Sequence, residues 1–202
     1  MLTGGTPDVL GRFVFYAVMI SWCLFAVTFI ARRRPARRQE TRRDWTAMLG
    51  FLIQSAGYFI IWLRPLQRPR FSPLFPMSNV AELALAVLTV AIAVFSVWLV
   101  NAAVRALGAQ WAVAARLVEG HNLIVNGPYR WVRNPIYAGM FGMMLATGLA
   151  VTQWPALLAA TLVFLAGTYL RVRTEERLLR GQFGSDFDEY TSRVPAIIPG
   201  VW

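Results

Sequence analysis

The residues able to do chemistry crowd into one stretch, His121 to Tyr137, which reads His-Asn-Leu-Ile-Val-Asn-Gly-Pro-Tyr-Arg-Trp-Val-Arg-Asn-Pro-Ile-Tyr. It holds the only histidine of the chain among arginines, asparagines and tyrosines, with long apolar runs on both sides. Desolvating so many polar groups beside a membrane is expensive unless something binds there. Asn126-Gly127-Pro128-Tyr129 reads as a turn that sets Tyr129, Arg130 and Arg133 beside His121. A histidine on its own more often caps a helix or bonds a carbonyl, and its company here favours a binding role. With no His, Cys or carboxylate cluster around it, a zinc or iron centre is not expected.

A second polar group, Arg171, Arg173, Glu175 and Glu176, follows the last long apolar run. On a solvated helix face Arg171 and Glu175 form an i,i+4 pair worth about 0.2–0.5 kcal/mol. In a site, the carboxylate would hold a cationic or hydroxyl-bearing ligand and an arginine would grip an anion. Rossmann and P-loop signatures are absent, as are GxSxG and HExxH, so neither a common nucleotide fold nor a hydrolase with these motifs is indicated.

The elements that must position these groups are membrane helices. The chain has 202 residues, is 57% hydrophobic, and contains apolar runs as long as a bilayer is thick. Spans are expected at Arg12–Ala31, Trp45–Leu63, Val80–Leu107, Pro135–Thr152 and Pro155–Leu170, an all-α bundle of about five transmembrane helices. The first reads as a retained span, since no small-residue cleavage site precedes its basic end. Gln54, Ser55 and Gly57 in the second span read as helix-packing residues, and Gly139, Gly142 and Gly148 as close-approach points for a helix or a lipid chain. The three residues Gln153-Trp154-Pro155 allow only a tight return, so the last two spans form a hairpin. Beyond Arg171 the helix should run out of the membrane, followed by an amphipathic piece whose apolar end returns to the membrane surface.

All twenty basic residues are arginine, giving a permanent net charge of +10. Sixteen of them fall in loops that this topology puts inside, seven in residues 32 to 43 alone, which sets the N-terminus outside and the C-terminus in the cytoplasm. The charge suits anionic headgroups; its spread over the loops argues against a nucleic-acid partner. Cys23, a lone cysteine in an apolar run, excludes an intramolecular disulfide. Absence of lysine with abundant Ala and Arg suggests a bacterial protein of the inner membrane.

The string His121-x-Leu123-x-Val125-x-Gly127-Pro128-Tyr129-x-x-Val132-Arg133-Asn134-Pro135-x-Tyr137, followed by Arg173-Thr174-Glu175-Glu176-x-x-Leu179 and Phe183-Gly184, resembles the isoprenylcysteine carboxyl methyltransferase family of membrane enzymes. The resemblance covers roughly the C-terminal half. It implies that a methyltransferase region, residues 108–202, follows the three apolar spans of residues 1–107, with an S-adenosylmethionine site at the cytoplasmic face and no Rossmann domain. His121, Asn122, Leu123, Ile124, Tyr129, Asn134, Pro135, Ile136 and Tyr137 would line the cofactor pocket with Glu175. Arg171 or Arg173 would face the methyl acceptor; the Arg-Thr-Glu string favours Arg173, whereas counting back from Phe183-Gly184 favours Arg171. Asn134 stands where eukaryotic members carry histidine, which leaves the acceptor open among carboxylates, thiols and amines.

Methyl transfer from a sulfonium is an in-line displacement that neutralises charge, so positioning and exclusion of water can supply most of the catalysis. A carboxylate or thiolate acceptor needs an orienting cation but no general base, while an amine would need a proton sink such as His121 or Glu175. A lipophilic acceptor would enter sideways between spans, with Gly139 and Gly142 marking the opening. The rival reading is a non-catalytic lipid-binding or adaptor protein, and a transporter is weaker because the spans carry few buried charges.

Overall fold

A computed structural model describes residues 9–31, 40–43, 46–67, 71, 78–108, 116–118 and 122–197. Among the described residues the α-helices are α1 (Val9–Ile30), α2 (Thr46–Trp62), α3 (Asn79–Leu107), α4 (Pro135–Val151), α5 (Trp154–Phe183) and α6 (Ser185–Arg193). Three of them, α1, α3 and α5, are long and apolar enough to cross a membrane. The apolar helices α2 and α4 have 17 residues each, about 25 Å of rise, at the short end of what a bilayer demands. Exposed Phe13, Tyr16, Ile20, Leu24 and Val27 recur at helical spacing along α1, the outward apolar face expected of a chain solvated by lipid. The chain is an integral membrane protein with an all-helical architecture.

Hydroxyls inside the helices bond back to their own turns, Thr28 to the Leu24 carbonyl at 3.0 Å and Ser96 to that of Ile92 at 2.7 Å, so no water is needed to satisfy them. Pro135 at the first turn of α4 and Pro155 in that of α5 sit where a helix has N–H groups to spare. Gly184, at φ +52°, ends α5 in a conformation that side-chain-bearing residues seldom adopt and turns the chain into α6.

Two apolar clusters hold the bundle together. Val14, Val18 and Phe25 of α1 meet Ala93 and Val100 of α3 and Met143 of α4; Ile61 of α2 meets Met144 of α4 and Phe164 of α5. Small residues bring backbones close: a Cβ at Gly167 of α5 would lie 2.6 Å from the Gln54 nitrogen of α2, and one at Gly57 would lie 3.0 Å from the Ala160 carbonyl oxygen. The packing role read for Gln54 and Gly57 is therefore observed. Although α4 and α5 form the expected hairpin, the main packing partner of α5 is α2, and that of α4 is α3. The turn between α4 and α5 is itself fastened to the end of α2, Thr152 Oγ1 donating to the Ile61 carbonyl at 2.9 Å and Gln153 N to that of Leu66 at 2.9 Å.

Gly139 and Gly142 do not mark a lateral opening. Cβ atoms there would lie 2.4 Å from Val100 Cγ2 and 2.2 Å from Ser96 Oγ, so α3 fills the groove that the glycines leave. Gly148 is likewise closed, by Leu157.

Two further features depart from expectation. Glu40–Arg43 pairs antiparallel with Arg116–Val118, joining the basic loop after α1 to the approach to the polar stretch. Glu-Thr-Arg-Arg has no alternating apolar face, so nothing in its pattern announces a strand. The chain after α6 does not run back to the membrane surface at once: Ala196 and Ile197 are buried against Tyr137 and Val172.

Candidate active site

The polar stretch and the C-terminal half of α5 meet beneath the C-terminal segment. A short 3₁₀ turn, Gly127–Arg130, places Tyr129 inward, with Gly127 at φ +60° making the bend. The following segment is held by the tail: Arg133 N donates to the Pro195 carbonyl at 2.9 Å, and Asn134 N and Nδ2 both donate to that of Ala196 at 3.0 Å. Arg133 also pairs with Glu176 of α5 at 2.9 Å and donates to the carbonyls of Thr191 and Val194. Residues 133–134, α5 and the tail are thereby fixed to one another.

Tyr137, in the first turn of α4, directs its hydroxyl onto Glu175 Oε1, while its ring lies 4.7 Å from the Arg171 guanidinium carbon. Arg171 Nη2 stands 4.0 Å from the same Glu175 oxygen. Arg171 is 5% exposed, and a charge so buried must be hydrogen-bonded. Its Nη1 donates at 2.9 Å to Oε1 of Gln54, whose Nε2 donates at 2.7 Å to Thr168 Oγ1. Phe51 closes the other side, 5.6 Å from the guanidinium. The solvated-face reading of Arg171 and Glu175 is thus overturned, because α2 and α4 flank this face of α5.

Tyr190 of α6 donates to the Tyr129 carbonyl at 2.6 Å. Burial pushes its phenol up to about 12, with Arg133 pulling down and Glu176 pushing up, so it remains a donor throughout the physiological range. Burial, with Glu175 and Tyr190 nearby, also raises the Tyr129 phenol well above its ordinary value.

Of the residues expected to bind cofactor, Tyr129, Asn134, Pro135, Tyr137 and Glu175 come together here, whereas Ile136 is half-buried against the core formed by α1, α3 and α4. Leu123 and Ile124 are half-buried and Asn122 is exposed; His121 lies outside the described residues. The two arginines separate: Arg171 faces Tyr137 and Glu175, whereas Arg173 is exposed and rests over the Tyr169 ring at 5.1 Å. Thr168, Phe51, Tyr190 and the tail carbonyls were missed, since isolated residues inside apolar or polar runs carry no motif. Gln54 was visible as an amide inside a span, but its partner was not. Among the described residues no group of His, Cys, Asp or Glu side chains could hold a metal ion.

The family model for phospholipid methyltransferases matches residues 84–186, just over half of the chain. This protein belongs to the phospholipid methyltransferase family. Within that family it is similar to protein-S-isoprenylcysteine O-methyltransferases: 33% identical over 87 residues to the Schizosaccharomyces pombe protein, covering 43% of this chain and 37% of that one. A second such relative, from Xenopus laevis, is 31% identical over 81 residues, 40% of this chain and 28% of the relative. The matched stretch thus spans well under half of either relative. A probable rice enzyme of the same description is 33% identical over 81 residues, 40% of this chain and 42% of the relative. These relatives are eukaryotic, so they bear on family and leave the source open. The solved structure of a eukaryotic intramembrane Ras methyltransferase, isoprenylcysteine carboxyl methyltransferase, aligns with 99% of this chain and 70% of its own at a TM-score of 0.61. At 18% identity that likeness concerns the fold, and it takes in the N-terminal helices, which the family model does not reach.

Proposed function

We propose that the protein is an S-adenosylmethionine-dependent methyltransferase acting at the membrane face on a lipophilic acceptor with a carboxylate or thiol. The observation that carries this reading is the convergence of Tyr137, Glu175 and Arg171 under the tail, in a chain of the phospholipid methyltransferase family.

The donor set fits the cofactor. Glu175 offers carboxylate oxygens to the cofactor's hydroxyls or cationic groups, and the buried rings of Tyr129 and Tyr137 offer aromatic surface. Asn122, Leu123, Ile124, Asn134, Pro135, Ile136 and His121 complete the proposed pocket. When bound, S-adenosylmethionine supplies a methyl group on a sulfonium centre. The chain holds the site in shape: the Asn134 to Ala196 and Arg133 to Glu176 ties fix the walls, and Ala196 and Ile197 keep water from Tyr137. Arg171, of the two arginines, is assigned to the acceptor, because its guanidinium shares the enclosure with Tyr137 and Glu175 while Arg173 points elsewhere. An anionic acceptor oriented by that cation needs no proton removed, and nothing beyond alignment is asked of the protein.

In this reading α2 and α4 join the three longer helices as five spans. The arginine distribution supports the N-terminus outside and the C-terminus in the cytoplasm of a bacterial inner membrane. Residues 1–107 supply three spans, and 108–202 supply the cofactor loop, the hairpin and the tail. Membrane lipids and the acceptor are the partners.

Calorimetric titration of purified protein with S-adenosylmethionine and S-adenosylhomocysteine, wild type beside Glu175→Ala, tests the proposal. Micromolar binding by wild type that is lost in a folded Glu175→Ala protein supports it. A folded wild type that binds neither compound removes the methyltransferase reading in favour of a lipid-binding one.

A further inference from the structure

Helix α5 carries a second surface, turned away from Tyr137 and Glu175, that the proposed reaction does not use. Leu158, Leu162 and Tyr169 are exposed at helical spacing, and Arg173, Arg177 and Arg180 continue the same stripe at steps of four, four and three residues. The buried side of the helix at this level carries Arg171, Thr174 and Leu178. The outward face of α5 therefore changes from apolar to cationic within one turn, between Tyr169 and Arg173.

The lengths match half a bilayer. From Leu158 to Tyr169 the helix rises about 16 Å, close to the roughly 15 Å of hydrocarbon in one leaflet. Tyr169 then falls at the depth where rings with a polar tip settle, and the arginines at the depth of headgroup phosphates. Arg173 rests over the Tyr169 ring at 5.1 Å, which joins the apolar stripe to the cationic one.

Beyond that ring Arg173, Arg177 and Arg180 line a recess of about 190 Å³ with Glu176. The Glu176 carboxylate is matched by Arg133 at 2.9 Å, and Arg180 shares an exposed pair with Asp188 at 2.7 Å. A pair so exposed is worth little and can exchange for another anion. Like charges one turn apart on a helix repel, so an anion seated among these guanidinium groups offsets a strain that the helix otherwise bears. A zwitterionic headgroup would bring its own ammonium against them. A soluble anion would make no use of the apolar stripe, and an acidic peptide could not follow it to hydrocarbon depth.

We propose that the outward face of α5 is a binding site for an anionic phospholipid, with the phosphate in the recess beside Arg173 and an acyl chain along Leu162 and Leu158. The inference goes beyond the methyltransferase reading, giving a place and a headgroup class to one lipid partner, and it stands whichever group Arg171 serves. It requires only that α5 cross the membrane.

The test is native mass spectrometry of the delipidated whole chain in detergent, titrated with dioleoyl phosphatidylglycerol and with dioleoyl phosphatidylcholine. Wild type should bind phosphatidylglycerol about tenfold or more tightly than phosphatidylcholine. Arg173→Glu should erase that difference, and Arg173→Lys should keep most of it, since a phosphate accepts a point charge. The same reversal at exposed Arg193 of α6, Arg193→Glu, should stay within about twofold of wild type. If Arg173→Glu does not fold, Arg173→Gln takes its place with a severalfold loss. Equal affinity of wild type for the two lipids overturns the proposal, as does an equal loss in Arg173→Glu and Arg193→Glu, which would mean diffuse charge without a site. Displacement of phosphatidylglycerol by an equal concentration of glycerol 3-phosphate or inorganic phosphate overturns the lipid as occupant in favour of a soluble anion.

Discussion

Asn134 gives both its backbone N–H and its side-chain amide to one carbonyl, that of Ala196, each at 3.0 Å. The two residues lie 62 positions apart, and their tie lays the tail over Tyr137. In Asn134→Ala the backbone bond survives and the side-chain bond is lost, a change on the order of 1 kcal/mol. Hydrogen exchange at residues 194–197 should accelerate about fivefold while exchange within α3 stays unchanged. Unaltered exchange in the tail would mean that packing of Ile197, rather than Asn134, keeps it docked.

The Arg133 side chain makes three contacts with parts of the chain far from it in sequence, and Glu176 is only one of them. Both side chains are largely shielded, so the pair is worth more than a surface bridge. Arg133→Ala should lower stability by about 2–4 kcal/mol, and Glu176→Gln by about 1 kcal/mol, since the carbonyls of Thr191 and Val194 still satisfy the guanidinium. Thermal unfolding in one detergent would rank them; Glu176→Gln proving the worse would point to the ion pair as the dominant tie.

The apolar helices, the hairpin and the polar stretch were legible because each has a local signature: apolar length, a short proline-bearing return, a density of polar groups between greasy runs. Contacts across the bundle were not. Arg171 and Arg173 differ by two positions, and motif alignment left both open; only the burial of one α5 face against α2 and α4 separates them. Gln54 was readable as a packing residue, which it is, but its bond to Arg171 spans 117 positions. The strand pair at 40–43 and 116–118 left no trace in a polar, arginine-rich pattern.

Glycines at the α2–α5 crossing should tolerate nothing larger. At Gly167 a Cβ meets backbone, the Gln54 nitrogen and the Gly50 carbonyl oxygen at 2.6 and 2.7 Å, so the helices themselves must part. At Gly142 the obstruction is the Ser96 hydroxyl, a side chain that can rotate. Gly167→Ala should cost about 3 kcal/mol or more and Gly142→Ala about 1 kcal/mol. Detergent melting curves of equal height for the two variants would contradict the crossing geometry.

Tyr190 gives the tail region a defined alkaline limit. Its phenol is raised from an ordinary value of 10.0 to about 12, so the folded form holds its proton more tightly than the unfolded form. The resulting stabilisation is complete below pH 10 and is lost as pH rises towards 12, because the unfolded chain ionises first. Unfolding midpoints of wild type should fall across that window, and Tyr190→Phe should fall less steeply there while losing some stability at neutral pH with the bond to the Tyr129 carbonyl. Parallel curves for the two proteins would assign the alkaline loss to other groups.

The two arginines lie on different faces of α5, one buried and one exposed. Arg171 is enclosed by Tyr137, Phe51 and Gln54, and Arg173 lies on the exposed side of the same helix. Arg171→Lys keeps a charge but loses the planar fork that meets Gln54 and stacks on Tyr137, so it too should impair turnover of an anionic acceptor. Acceptor kcat/KM should fall at least about a hundredfold in Arg171→Ala and about tenfold in Arg171→Lys, as expected when one contact to a charged group is lost or misaligned. Arg173→Ala should stay within about twofold of wild type. Steady-state kinetics in which Arg173→Ala is the more damaging change would reverse the assignment and restore the alignment by the Arg-Thr-Glu string.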